Sequence, residues 1–359
     1  MRVVDGDGHV TEGPRGSDLI EFLDEPYRSA KLTFGVFPDI DHLHNEPITY
    51  PPDSVPGSSD HRRVGPPEWS AFLEDVGIEA SVLYPSNGLG VGLIANRDWA
   101  IAVTRAYNDW LYSTYLTTNP ALQGMALLPM QDPDASVDEL RRAVEDLGMR
   151  GAMLPAVGLR SQLGSKEYWP VYAEAERLGC ALAVHGGVSS RLGFDHMEVR
   201  PGTHALGHPL GVLISLTSIV FNGVFDRYPG VRFGFLEGGV AWLLVAMERF
   251  DRSYETHVPY NPRGELLQLD PGESVAGYLA SLAEGGRLAI GCEGDEFDLL
   301  RGVELLGSGA FMFSSDFPHE VGPQRCKEEI AELLERPGLS ERQKADILGE
   351  SARRFYRLE

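Results

Sequence analysis

Four stretches of the chain place imidazoles or carboxylates at the ends of short apolar runs: Asp7-Gly8-His9, His185-Gly186-Gly187, Glu237-Gly238-Gly239 and Asp316. Imidazole nitrogen suits zinc, manganese or iron, and carboxylate oxygen suits the harder divalent ions. Asp7 and His9 are two residues apart, so on a strand both side chains project from the same face. The glycines after His185 and Glu237 let the backbone turn sharply and leave room for a ligand. Each residue also has an ordinary reading. A lone histidine after a strand is more often a hydrogen-bonded loop residue, and an aspartate such as Asp316 is more often the N-cap of the next helix. Spacing alone leaves both readings open. The coincidence of ligand types at several separate strand ends is what favours a metal site.

Those residues need a frame that brings distant strand ends together. Short apolar runs alternate with amphipathic stretches, the pattern of a parallel sheet wrapped by helices. Strands are expected at Arg2–Asp7, Ala80–Tyr84, Gly124–Pro129, Arg150–Pro155, Ala181–His185, Val231–Glu237, Leu288–Glu293 and Ala310–Asp316. Helices are expected over Arg97–Thr117, Ala135–Leu147 and Gly211–Tyr228. Eight alternations predict an α/β fold, a (β/α)8 TIM barrel, with its chemistry at the carboxyl ends of the strands. Two stretches interrupt the pattern: residues 27–67, rich in Pro, His and Asp, read as a lid-like insertion after the first strand, and residues 256–273 read as a second insertion. With no internal repeat or linker, residues 1–359 are read as a single domain.

Composition narrows the partners. Hydrophobic residues are 43% and charged residues 23%, the balance of a globular chain. There are 31 Lys and Arg against 53 Asp and Glu, a formal charge of −22. That balance disfavours nucleic acid and an anionic membrane surface. No apolar run approaches the ~18 residues of a membrane span, and the start of the chain lacks the apolar core of a secretory signal. Cys180, Cys292 and Cys326 are widely spaced with no CxxC, which suits a reducing compartment and packing roles. A cytoplasmic protein acting on a small molecule is expected. Gly88–Gly92 does not have dinucleotide-fingerprint spacing, and no G-x-S-x-G elbow occurs. The aromatic residues Trp99, Tyr107 and Trp110 read as outer-ring core.

The segments VVDGDGHVTE (Val3–Glu12), YNDWL (Tyr107–Leu111), LGCALAVHGG (Leu178–Gly187), GVFDRYPGVRFGFLEGGVAW (Gly223–Trp242), FMFSSDFPHE (Phe311–Glu320) and ILGESARRFYRL (Ile347–Leu358) follow one another in a familiar order. In them the sequence resembles the amidohydrolase superfamily, in its aminocarboxymuconate-semialdehyde decarboxylase-like branch. The resemblance implies a barrel holding one divalent ion, zinc first with manganese or magnesium as alternatives, on Asp7, His9, His185 and Asp316. It also implies a homodimer or higher homo-oligomer. Many members carry a catalytic histidine where this chain has Glu237.

That departure changes the electrostatics. Asp7 and Asp316 would neutralise a divalent ion, and an ionised Glu237 would carry the centre to about −1, which disfavours an anionic substrate. Candidate compensators are His319, His204, His208, Arg191, Arg62 and Arg63. Otherwise Glu237 stays protonated as a general acid. Glu293 and Glu296, after the seventh strand, are further pocket candidates, or a solvated acidic cluster. The leading expectation is decarboxylation of a small unsaturated or aromatic carboxylic acid, with Asp316 carrying the proton and Glu237 or His319 assisting. The same residues could serve a hydrolase acting on an amide, lactone or ester through metal-activated water. A non-catalytic metal-binding scaffold is the third reading.

Overall fold

All eight apolar runs form parallel strands in the computed structural model, which describes residues 2–30, 32, 35–38, 64–187, 192–262, 264–319 and 321–359. They are β1 (Val3–Val10), β2 (Ile78–Pro85), β3 (Leu122–Leu127), β4 (Gly151–Pro155), β5 (Ala181–His185), β6 (Arg232–Leu236), β7 (Leu288–Cys292) and β8 (Phe311–Phe313). Their order in the sheet is their order in the chain, and each pairs in parallel with the next. β4 to β8 are buried along their whole length. This is why they read as continuous apolar runs rather than alternating ones. Just past β8 the chain meets β1 again: Asp316 N donates to Asp7 O at 3.0 Å and His9 N to Phe317 O at 2.7 Å. Those bonds close the barrel.

Helices fill the crossovers: α1 (Pro66–Val76), α2 (Arg97–Leu111), α3 (Pro133–Glu145), α4 (Trp169–Leu178), α5 (Arg200–Phe221) and the short α6 (Val224–Arg227). α7 (Ala241–His257), α8 (Val275–Glu284), α9 (Leu299–Leu306) and α10 (Pro323–Glu335) follow, with α11 (Glu341–Ala345) and α12 (Ser351–Tyr356) at the end. Local chemistry sets the starts. Asn96 caps α2 by accepting from Trp99 N, and Asp132 caps α3 by accepting from Ala135 N with Pro133 in the first turn. Tyr107 and Trp110 are buried on the inner side of α2, as core.

Three expectations shift. The helix expected from Gly211 starts at Arg200 and contains Pro209, so His204 and His208 are helical residues, not loop residues. Although α5 has 22 residues and the length and apolarity of a membrane span, Val212, Leu216, Ile219 and Val220 are buried within the protein. The eighth strand is shorter than expected because Ser315 and Asp316 turn away from β7 to bond with β1. The lid expected over 27–67 lies largely, at 39–63, outside the described residues. Its described flanks pack down: Val36 and Phe37 are buried, and Trp99 Nε1 donates to Val36 O at 3.2 Å. Within 256–273, Leu267 is buried and its N donates to Phe221 O.

One buried acid lies outside the cluster of carboxylates and imidazoles at the strand ends. Glu329 on α10 accepts from Arg325 Nε at 2.8 Å, while its second oxygen has no hydrogen-bond partner among the described residues. Burial pushes its carboxyl up to about 7 from an ordinary 4.5. Below the ordinary value both folded and unfolded chains hold the proton. Between the two values only the folded chain does, so stability falls as pH rises, and the full cost stands above about 7. Glu329→Gln should therefore be more stable than the parent by about 1 kcal/mol at pH 8, with screening by solvent allowed for. Urea unfolding at pH 8 and pH 4 checks this: the gain should vanish at the acid end.

Candidate metal centre

β1 carries three carboxylate or imidazole side chains that are fully buried: Asp5, Asp7 and His9. Asp5 is the floor. Its carboxylate accepts from Ser81 Oγ at 2.6 Å, from Ser315 N and Oγ at 2.8 Å each, and from Asp7 N at 3.2 Å. Burial raises its pKa and these four donors oppose the rise. Asp5 thus ties β1 to β2 and to the segment after β8. A β-carbon on Gly8 would come within 2.5 Å of Trp69 Cη2 and Ser81 Oγ, so only glycine lets those side chains close on the strand. Asp5 was not among the predicted site residues, although the alternation Asp5-x-Asp7-x-His9 marked it.

His9 Nδ1 stands 2.8 Å from Pro85 O, and His185 Nδ1 stands 3.1 Å from Gly186 O. Carbonyls only accept, so both rings carry a proton on Nδ1 and turn Nε2 toward the centre. The two Nε2 atoms face each other at 3.3 Å. Around His9 Nε2 stand Glu237 Oε1 at 3.2 Å, Asp316 Oδ1 at 3.4 Å and Asp7 Oδ1 at 3.6 Å. His185 Nε2 lies 3.4 Å from Glu237 Oε1 and 3.8 Å from Asp7 Oδ1. Both Asp7 oxygens are buried with no hydrogen-bond partner among the described residues. Imidazole nitrogens and carboxylates converging on one point need positive charge among them, which a divalent cation supplies. Donor spacings of this size suit one ion at ~2.0–2.2 Å from each atom. The residues present therefore fit a divalent metal.

Crowding shows in the ionisation of the group. Burial holds the Asp7 carboxyl well above its usual range, reinforced by Glu237, Asp316 and Asp5. His9 is lowered by burial and by His319. Burial also acts to raise Glu237, but its contacts with His185, His208 and His9 win and hold it well below the usual range. The structure thus favours an ionised Glu237 over the protonated general acid entertained from sequence.

Glu237 and Asp316 have backbone φ of 54° and 52°, the left-handed region that side chains other than glycine and asparagine rarely adopt. Each follows a strand directly or nearly so, and each carboxylate points at His9. Glu237 is held by His208 Nδ1 at 2.7 Å from its Oε2. Asp316 Oδ1 is held by His319 Nδ1 at 2.7 Å. Asp316 is not a helix cap, since α10 begins at Pro323 with Gly322 before it.

The structure brings together Asp7, His9, His185, Glu237, Asp316 and His319, with His208 bonded to Glu237. It does not bring in His204, an exposed residue one turn before His208 with ring centroids 5.6 Å apart. Arg191, Arg62 and Arg63 lie outside the described residues. Glu293 is an exposed neighbour of the mouth rather than a donor; partial burial, then Glu296, Glu329 and Asp316, push its carboxyl up to about 8. Glu296 Oε2 instead accepts from Val240 N at 3.3 Å. Chemically, the arrangement can hold a divalent ion on buried donors and present one carboxylate, Asp316, partly open to the barrel mouth.

Comparison with known proteins points the same way. A family model described as Amidohydrolase matches residues 79–358. A 2-amino-3-carboxymuconate-6-semialdehyde decarboxylase of Dictyostelium discoideum is 25% identical over 268 residues, 72% of this chain and 68% of that protein. A gamma-resorcylate decarboxylase of Rhodococcus jostii (strain RHA1) is 26% identical over 264 residues, 69% of this chain and 76% of that protein. Among solved structures, a dihydroxybenzoic acid decarboxylase of Polaromonas sp. JS666 with bound manganese and the inhibitor 2-nitroresorcinol superposes with a TM-score of 0.68. It has 20% identity, covering 99% of this chain and 97% of that one.

Proposed function

The chain belongs to the amidohydrolase family, and on that premise we propose that it is a metal-dependent decarboxylase of a small aromatic or unsaturated carboxylic acid. The observation that carries the reading is the buried, converging donor set of Asp7, His9 and His185 beside the half-open Asp316. The two curated relatives described above, both decarboxylases of carboxylated compounds, support the reaction class. Asp7, His9, His185 and Asp316 would hold the ion, with Glu237 Oε1 as a further donor at the same point. Two imidazoles among the donors favour zinc; the manganese in the Polaromonas structure supports manganese as the alternative. When bound, the ion supplies a Lewis acid that draws negative charge from a substrate oxygen.

The chain's own residues do the rest. Asp316, once it has taken up a proton from water at the barrel mouth, passes it from Oδ to the carbon bearing the carboxylate; the bond to that carboxylate then breaks, its electron pair returns to the carbon skeleton, CO2 leaves, and Asp316 is returned to its accepting form. His319 orients Asp316 through one 2.7 Å contact, and His208 fixes the Glu237 carboxylate through another. Apolar Phe317 and Trp69 close the floor behind them. Buried thiols at Cys180, Cys292 and Cys326 suit a cytoplasmic enzyme. The exposed Val199, Leu206 and Val245 around α5 and α7 suit a homo-oligomer contact.

The test is isotopic. With 2,6-dihydroxybenzoate and related hydroxybenzoates in D2O enriched in 18O, the expected organic product has gained one deuterium on carbon and no 18O, with CO2 released. An organic product carrying 18O would replace this reading with hydrolysis by activated water, the outcome that the acidic residue at Glu237 would then explain.

A further inference from the structure

Ser86, the first residue beyond β2, sits 2.9 Å from His319 Nε2 through its Oγ, and the other ring nitrogen of His319 is the one 2.7 Å from Asp316 Oδ1. With Asp316 Oδ1 as the acceptor, Nδ1 carries the proton of the neutral ring, and Nε2 is left as a lone pair that only a donor can meet. The Ser86 hydroxyl is that donor. We propose that Ser86 is a positioning residue that locks His319 in its Nδ1–H form and so keeps one hydrogen bond aimed at Asp316; this rests on Asp316 being the proton carrier of the site.

The serine is itself held in place. Its N donates to Val10 O at 3.1 Å. The next two residues are clipped by Glu12, a fully buried carboxylate at the end of the first conspicuous segment of the sequence. Glu12 accepts from Asn87 N at 3.0 Å, Asn87 Nδ2 at 3.1 Å and Gly88 N at 3.0 Å. On the other side, the His9 ring lies 4.1 Å from the His319 ring, centroid to centroid, at 31°. The imidazole is thus fixed by a hydroxyl at one nitrogen, a carboxylate at the other and a neighbouring ring on one face. A glutamate so fully satisfied by one turn has no evident purpose other than fixing that turn, and the side chain the turn presents to the site is Ser86. Without the hydroxyl, the ring can move its proton to Nε2 and turn a lone pair on Asp316, replacing a hydrogen bond with a repulsion.

The experiment reads ring protons directly. The zinc-loaded protein, which is diamagnetic, is prepared with 15N-labelled histidine rings, and the His319 signals are identified by their loss in His319→Gln. In the parent the expected pattern is a protonated Nδ1 and an unprotonated Nε2. Ser86→Ala should give a mixture of the two forms, and Ser86→Thr, which keeps the hydroxyl, should restore the parent pattern. Ser86→Ala should also lower kcat about ten-fold with bound zinc unchanged, the scale seen when a residue supporting a metal centre is removed. A parent ring protonated on Nε2, or on both nitrogens, overturns the proposal, as does a Ser86→Ala spectrum identical to the parent. The spectrum needs no substrate, so it stands or falls separately from the decarboxylase reading.

Discussion

His185→Ala should leave a folded barrel, empty the protein of divalent metal and lower kcat/KM by on the order of 10^3-fold or more. His185 is the last residue of β5, and only its imidazole reaches the centre; its backbone stays in the sheet, pairing in register with β4 and β6. Removing the ring deletes the lone pair that faces His9 at 3.3 Å and leaves the carboxylates without a nitrogen on that side. A Lewis-acid contribution of several kcal/mol to the transition state corresponds to a factor of this size. Metal content by mass spectrometry, circular dichroism and turnover on one protein batch check the three parts together. A variant that keeps its metal and its rate would remove His185 from the proposed ligand set.

The second large effect runs opposite to intuition: Asp7→Asn should make the metal-free protein more stable while abolishing stabilisation by metal. Both Asp7 oxygens are buried without a hydrogen-bond partner among the described residues, and Glu237 and Asp316 crowd them. The folded pKa of Asp7 is raised above its unfolded value, so the ionised carboxylate is a cost that begins as pH passes the unfolded value and is complete above the folded one. An amide carries no charge and can donate to the neighbouring carboxylates. At pH 8 the metal-free variant should melt at least ~2 °C above the metal-free parent. On adding zinc the order should invert, since only the parent gains binding energy. Melting curves with and without zinc, repeated at pH 5 where the gap should narrow, decide it. A metal-free variant that melts lower than its parent would mean that the orphaned carboxylate is tolerated without cost.

The barrel was legible in the sequence because its strands are buried on both faces and appear as unbroken apolar runs; Ala181–His185 matches to the residue. Strand ends were less legible. β8 stops at Phe313, not Asp316, because Ser315 and Asp316 bond to Asp5 and Asp7, partners some 310 residues earlier that no local pattern reveals. The start of α5 lies before the expected Gly211 because Gly207 and Pro209, residues that ordinarily break helices, lie inside this one. Among site residues, Asp7, His9, His185 and Asp316 were visible from residue type at strand ends, and Glu237 from its departure from the family pattern. Asp5, Glu12 and Ser86 were not, because a carboxylate or hydroxyl that serves other side chains looks in sequence like any polar residue beside a turn. His204 and His208 were indistinguishable until the helix placed one ring against Glu237 and left the other exposed.

The closure of the barrel carries a consequence for biosynthesis. Asp7 and Asp316 are joined by a backbone bond across the seam between the first and last strands, and their side chains converge on the same imidazole. In order of synthesis Asp7 and His9 come first, His185 and Glu237 follow, and Asp316 comes last. An ion held by the proposed set would be enclosed only once the seam has closed, so the metal available at that moment would bear on which ion each molecule carries.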